Sequence, residues 1–191
     1  KKEFDNFYSH VPERVLIILD EAYFEYAQSK EDYPDSMTYR YDNVITLRSF
    51  SKAYGLGGIR IGYGFAHNNL INNLLKVKAP FEPSSLAQVA GLAALDDTDF
   101  LFNSIELNKR GMEYIKKELE LLGVDYIPSV TNFITTLWES ETKATLLSKS
   151  LLEKGIIVRQ LTAFGWPACI RISIGLEKEN ERFIESLKQV I

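Results

Sequence analysis

One lysine stands inside the stretch Ser49-Phe50-Ser51-Lys52-Ala53-Tyr54-Gly55-Leu56-Gly57-Gly58-Ile59-Arg60. A lysine amine held on a rigid turn suits covalent chemistry with an aldehyde. The hydroxyls of Ser49 and Ser51 and the guanidinium of Arg60 suit a phosphate. The ligand that satisfies both demands is an aldehyde that carries a phosphate. Glycines at 55, 57 and 58 mark places where the backbone turns tightly or is closely approached. By itself, a lysine in a glycine-rich loop is ordinarily a solvated loop lysine. The glycines do not form a dinucleotide fingerprint, because in the frame that starts at Gly55 the last glycine position is Arg60. No G-x-x-x-x-G-K-[ST] phosphate loop is present either.

The elements that must position this stretch can be read around it. Val44–Leu47 before it and Ile59–Ala66 after it are apolar runs that predict strands. Further upstream, Val15-Leu16-Ile17-Ile18-Leu19 is apolar at every position and ends in Asp20. Such a run predicts a strand buried on both faces, as in a parallel sheet covered by helices. Ligands of those sheets sit beyond the carboxyl ends of the strands, and both Asp20 and Lys52 fall at that edge. An aspartate after a strand is often no more than a turn or cap residue. Residues 1–9 have a weak helical pattern that Pro12 stops, and Phe24–Asp42 reads as a loop with a short helix. The spacing predicts a helix over Asn68–Val77, broken by Pro80 and Pro83, and another through Leu95 capped by Ser84 or Ser85. A longer helix, capped by Thr98 and stopped by Gly123, follows. Beyond it, the pattern changes to α+β. Phe133–Trp138, Ile156–Arg159 and Cys169–Ile174 read as strands, and Thr142–Lys154 and Glu177–Val190 as helices, giving a small sheet with helices on one face. Leu146, Leu147, Leu151 and Leu152 are expected to be core packing. The expected organisation is therefore a large α/β domain over 1–97, a linking helix over 98–123 and a small α+β domain over 124–191.

The pattern S-x-S-K-x-x-G-L-x-G-x-R, lying between two strand-like runs, resembles the lysine segment of the class I and II aminotransferases, which are fold-type I pyridoxal-phosphate enzymes. Asp20-Glu21-Ala22-Tyr23 after an apolar strand matches a second signature of that family, residue by residue. Cys169-Ile170-Arg171-Ile172-Ser173-Ile174-Gly175 matches a third. Together, these segments most resemble the histidinol-phosphate aminotransferases and their near relatives, over essentially the whole chain. The resemblance implies a fold-type I architecture, with part of the large domain (a mostly parallel sheet) and the small domain. It implies pyridoxal 5'-phosphate as cofactor, Lys52 as its catalytic lysine, Asp20 at the pyridine nitrogen and Tyr23 at the phenolic oxygen. Ser49, Ser51 and Arg60 would then anchor the phosphate. Arg171 would take the substrate carboxylate, and Arg159 would help to bind a substrate phosphate, as in histidinol-phosphate enzymes. Asn132 in Ser129-Val130-Thr131-Asn132-Phe133 matches a family turn and is expected to be structural.

The resemblance further implies an amino acid or amino-alcohol phosphate and a 2-oxo acid as small-molecule partners, and a homodimer. One departure is Pro80-Phe81-Glu82-Pro83-Ser84, which stands where many members have P-F-N-x-N. Aromatic aminotransferases and threonine-phosphate-type decarboxylases share these motifs and remain open, as does a non-catalytic dimerisation or interaction module. Whole family members carry well over a hundred residues before D-E-A-Y. The chain is accordingly expected to be a C-terminal fragment that by itself transfers no amino groups at a useful rate.

Composition narrows the alternatives. A net charge of −4 offers no basic excess for nucleic acid. No apolar stretch approaches the length of a membrane span, and Lys1-Lys2-Glu3-Phe4 does not read as a signal peptide. The single cysteine, Cys169, excludes an internal disulfide and fits a reducing cytoplasm. His10 and His67 make no recognisable metal-ligand spacing, so no metal is expected.

Overall fold

The computed structural model describes residues 1–39 and 41–191. The chain divides into two compact units, Lys1–Leu101 and Phe102–Ile191.

The first unit holds α1 (Lys2–Tyr8), β1 (Ile17–Asp20), α2 (Phe24–Ala27), β2 (Val44–Ser49), β3 (Gly62–Ala66), α3 (Asn68–Val77), α4 (Ser85–Asp96) and the start of α5 (Thr98–Leu121). The sheet order is β1-β2-β3. β1 and β2 run parallel, with Asp20 opposite Leu47. Residues 21–43 are long enough to cross over and return in the same direction. β3 is antiparallel to β2, so the described sheet mixes one parallel with one antiparallel pairing. Ser84 caps α4 by accepting the Ala87 N–H at 3.2 Å. The cap of α5 is Asp97 rather than Thr98, since Asp97 Oδ1 accepts the Phe100 N–H at 3.0 Å.

The expectation of a first strand buried on both faces does not hold. β1 begins only at Ile17, and Ile18 is 59 % exposed while Ile17 is buried. The two faces of the sheet differ. One face carries Ile17, Val44, Thr46 and Arg48, all buried, and is covered by residues 21–36. For example, Ser36 Oγ donates to Thr46 Oγ1 at 3.0 Å beneath it. The other face carries Ile18, Asp20, Leu47 and Ser49 by strand alternation.

The second unit contains most of α5, then β4 (Tyr126–Ile127), β5 (Phe133–Leu137), α6 (Glu141–Glu153), β6 (Arg159–Leu161), β7 (Trp166–Ser173) and α7 (Glu177–Lys188). Its sheet has the order β4-β5-β7-β6, with every pairing antiparallel. The core joins Met112, Ile115 and Leu119 of α5, Leu147 and Leu151 of α6 and Ile184 and Leu187 of α7 to Ile134, Ile170 and Ile172 of the sheet. Helices thus cover one face. Leu147 and Leu151 are core as expected, but Leu146 and Leu152 are each 58 % exposed, because only one stripe of α6 meets the sheet. The expected strand Ile156–Arg159 is displaced. Ile156 and Val158 pack against the core outside any ladder, and pairing with β7 begins at Arg159.

Candidate active site

The carboxyl ends of β1 and β2 lie side by side. The Glu21 N–H donates to the Leu47 carbonyl at 2.9 Å and extends the parallel ladder past Asp20. Asp20 is exposed, and its Oδ1 accepts the Ala22 N–H at 3.1 Å. Asp20 therefore does act as a turn residue, and its second carboxylate oxygen has no hydrogen-bond partner among the described residues.

Beyond Ser49 the chain turns. Ser49 Oγ accepts the Ser51 N–H at 3.0 Å. The Gly55 N–H donates to the Lys52 carbonyl at 3.0 Å, and the Leu56 N–H to the Phe50 carbonyl at 2.9 Å. Phe50 and Ala53, at 5 % and 0 % exposure, anchor the turn in the core. Their burial leaves Ser51 and Lys52 partly open. Gly55 has φ of +70°, which a side chain adopts only with strain. Gly58, by contrast, stands in open space, and nothing around it requires a glycine.

Lys52 Nζ lies 5.0 Å from the centre of the Tyr23 ring. No described carboxylate lies within ion-pair distance of it. The amine therefore sits against an aromatic phenol rather than locked to a counter-ion. Arg60 is exposed and has φ of +61°. For a non-glycine residue this left-handed conformation costs on the order of 1–2 kcal/mol and points to a local constraint. Its Nη1 donates to the Gly57 carbonyl at 2.6 Å. Gly57 in turn packs beside Ser51, since an added Cβ there would lie 3.4 Å from the Ser51 carbonyl oxygen.

Across β3, Ser49 pairs with Gly62 and Leu47 with Gly64. On the sheet face that carries Asp20 and Ser49, β3 contributes no side chain at Gly62 or Gly64, and the Leu47 and Ile45 side chains of β2 lie over Gly64. The donor set fits pyridoxal phosphate. It includes an amine for the aldehyde, a phenol beside that amine, a carboxylate for the pyridine nitrogen and a serine–serine–arginine group for the phosphate.

In the second unit, β7 places Arg171 opposite Thr135 of β5 and opposite Arg159 of β6. The two arginines are direct cross-strand neighbours on the sheet face away from the helices. Arg171 stacks on Phe133, 4.9 Å from the ring centre, and Arg159 on Phe164 at 5.7 Å. No described carboxylate pairs with either. Like charges directly opposite each other repel, so the pair is a ready site for an anion. Asn132 is structural, its carbonyl accepting the Ile174 N–H at 2.9 Å.

Sequence reasoning missed Glu21 and Arg48. Arg48 donates from Nε and Nη2 to Glu21 Oε2 at 3.0 and 2.9 Å, and from Nη2 to Asp35 Oδ1 at 2.7 Å. Its guanidinium lies 3.4 Å from the centre of the Phe24 ring. Burial pulls the Arg48 pKa down, but the bonds and charges of Glu21 and Asp35, with Tyr63, outweigh it and hold the pKa above its ordinary value. The available signal was a charged residue continuing the run Val44-Ile45-Thr46-Leu47 without a break.

The model of the family described as aminotransferase class I and II matches residues 1–187. Histidinol-phosphate aminotransferase 2 of Carboxydothermus hydrogenoformans is 40% identical over 193 residues, covering 100% of this chain and 53% of the relative. Histidinol-phosphate aminotransferase of Bacillus subtilis is 42% identical over 187 residues, covering 97% of this chain and 51% of the relative. Among solved structures, histidinol-phosphate aminotransferase from Sinorhizobium meliloti in complex with pyridoxal-5'-phosphate superposes with a TM-score of 0.89 at 30% identity. The match covers 99% of this chain and 52% of that one. The chain spans about half the length of the curated relatives it matches.

Proposed function

This chain belongs to the class I and II aminotransferases, and on that premise we propose that it carries the lysine, the cofactor cradle and the substrate arginines of a pyridoxal-phosphate-dependent histidinol-phosphate aminotransferase. The observation that carries the reading is Lys52 Nζ at 5.0 Å from the Tyr23 ring, beyond the carboxyl ends of the paired strands β1 and β2.

Bound pyridoxal phosphate supplies an electron sink for the charge that develops at the substrate α-carbon. The chain's residues hold and feed that sink. The Asp20 carboxylate keeps a proton on the ring nitrogen through a charge-assisted hydrogen bond. The Tyr23 hydroxyl donates to the phenolic oxygen. Ser49, Ser51 and Arg60 hold the phosphate, Arg60 with a fixed charge and a forked donor set. Lys52 would hold the cofactor through its amine at the aldehyde position and, as a free amine, would carry the proton at the substrate α-carbon. Arg171 and Arg159 take the anionic ends of the substrates. Histidinol phosphate carries a phosphate and 2-oxoglutarate two carboxylates, so each suits a pair of adjacent guanidiniums. The reading places the protein in the cytoplasm, acting as a homodimer in histidine biosynthesis. Among the described residues, no helix is long and apolar enough to cross a membrane.

The test is an absorbance spectrum of the polypeptide expressed from its complete gene, with pyridoxal phosphate added and Lys52→Ala beside it. A visible band that needs Lys52 and is bleached by histidinol phosphate is the expected result. A band untouched by histidinol phosphate would move the reading to an aromatic aminotransferase or to a decarboxylase of a threonine-phosphate-type substrate. The absence of any lysine-dependent band would refute the enzyme reading.

A further inference from the structure

The Arg48 cluster lies on the opposite sheet face from Asp20 and Ser49, so it touches neither the proposed cofactor nor the substrate. Its neighbours in sequence do. Glu21 and Phe24, both against Arg48, flank Tyr23 on either side, and Arg48 immediately precedes Ser49 in the strand that delivers Lys52. We propose that Arg48, held by Glu21 and Asp35, is a positioning residue that sets the separation of Tyr23 and Lys52 across the sheet edge. The inference rests on the cofactor reading of those two residues.

Three features support it. The contacts come from both sides of Tyr23, so the arginine governs the path of that segment rather than one end of it. Arg48 is 6 % and Glu21 8 % exposed, which removes the solvent that would soften the geometry. Finally, apolar residues of similar volume often hold a fold as well as a buried ion pair does. A fork that donates twice to Glu21, once to Asp35 and lies on Phe24 adds orientation that apolar packing lacks. Tyr63 stands opposite Arg48 on β3, and the Phe65 ring lies 5.4 Å from the guanidinium.

The experiment compares Arg48→Lys with Val44→Ala, a buried position at the other end of the same strand, after matching their loss of Tm. Lysine keeps the charge but loses the fork and the stacking. The readouts are the dissociation constant for pyridoxal phosphate and the visible circular dichroism of the bound cofactor, which reports how the ring is held. A misplacement near 1 Å costs on the order of 100-fold in function. Arg48→Lys is accordingly expected to weaken cofactor binding about tenfold or more and to change the dichroism, with Val44→Ala within about twofold. Equal effects in both variants, or none in Arg48→Lys, would overturn the proposal. If Arg48→Lys does not fold, Glu21→Gln is judged by the same criteria. If the unaltered protein binds no cofactor, the enzyme reading has failed, and hydrogen exchange over residues 49–57 decides the positioning claim. Protection lost in Arg48→Lys but kept in Val44→Ala supports it, and equal loss in both overturns it.

Discussion

Replacing Arg60 separates two effects that the structure assigns to one residue. Its backbone stands at φ +61°, and its side chain makes one described hydrogen bond, to the Gly57 carbonyl at 2.6 Å. Arg60→Ala keeps the left-handed backbone and loses the bond. Arg60→Gly loses the same bond but releases about 1–2 kcal/mol of strain. Against this, the more flexible unfolded chain of glycine sets about 0.4–1 kcal/mol. The glycine variant should therefore be the more stable of the two by roughly 0.5–1 kcal/mol, or about 1–4 °C in Tm for a chain of this size. Cofactor binding should not follow that order. A charged hydrogen bond to phosphate contributes about 1.5–3 kcal/mol, so both variants should bind pyridoxal phosphate roughly 10- to 100-fold more weakly. Differential scanning calorimetry and a cofactor titration on the same samples read both quantities. An alanine variant as stable as the glycine variant would refute the strain argument. Affinity within about threefold of the unaltered protein in both would remove Arg60 from the phosphate site.

Two further outcomes are expected. Arg159→Gln relieves a cross-strand repulsion with Arg171 worth about 0.2–1 kcal/mol, so it should raise Tm slightly while raising KM for a phosphorylated substrate. A fall in Tm, or an unchanged KM, would contradict the anion-site reading. Glu25 is 3 % exposed, and its Oε2 has no described partner. Burial raises its pKa above the ordinary 4.5, with the charge of Glu21 adding and a backbone hydrogen bond and Arg48 opposing. A raised folded pKa gives stability that is full below the unfolded value and lost as pH rises through the folded one. Glu25→Gln, neutral throughout, should therefore raise Tm at pH 7 and leave it nearly unchanged near pH 4, as thermal melts across that range will show.

The legible parts were those encoded over short distances. The lysine turn, the helices Asn68–Val77 and Thr98–Leu121 and the last helix follow from caps, glycines and periodic leucines close together in the chain. The errors arose where a distant partner decides. Ile18 reads as core but lies 59 % exposed, because burial depends on what covers a face and not on the residue. Val158 looks like strand but packs outside the ladder, because β7 accepts a partner only from Arg159 onward. The two-residue β4 is too short to leave a period.

Residue type and spacing pointed to Lys52, Ser49, Ser51 and Arg60, because amine, hydroxyl and guanidinium chemistry resides in the side chains themselves, and the resemblance to the aminotransferases added Asp20 and Tyr23. Tertiary structure decided which of them meet. Strand pairing brought the Tyr23 ring to Lys52, set glycines opposite Ser49 and Leu47, and aligned Arg159 with Arg171. It also turned Glu21 and Arg48, neither of which was singled out in the sequence, into a buried ion pair. Such pairings join residues far apart in the chain, and their energy is realised only when the folded sheet removes water from between them.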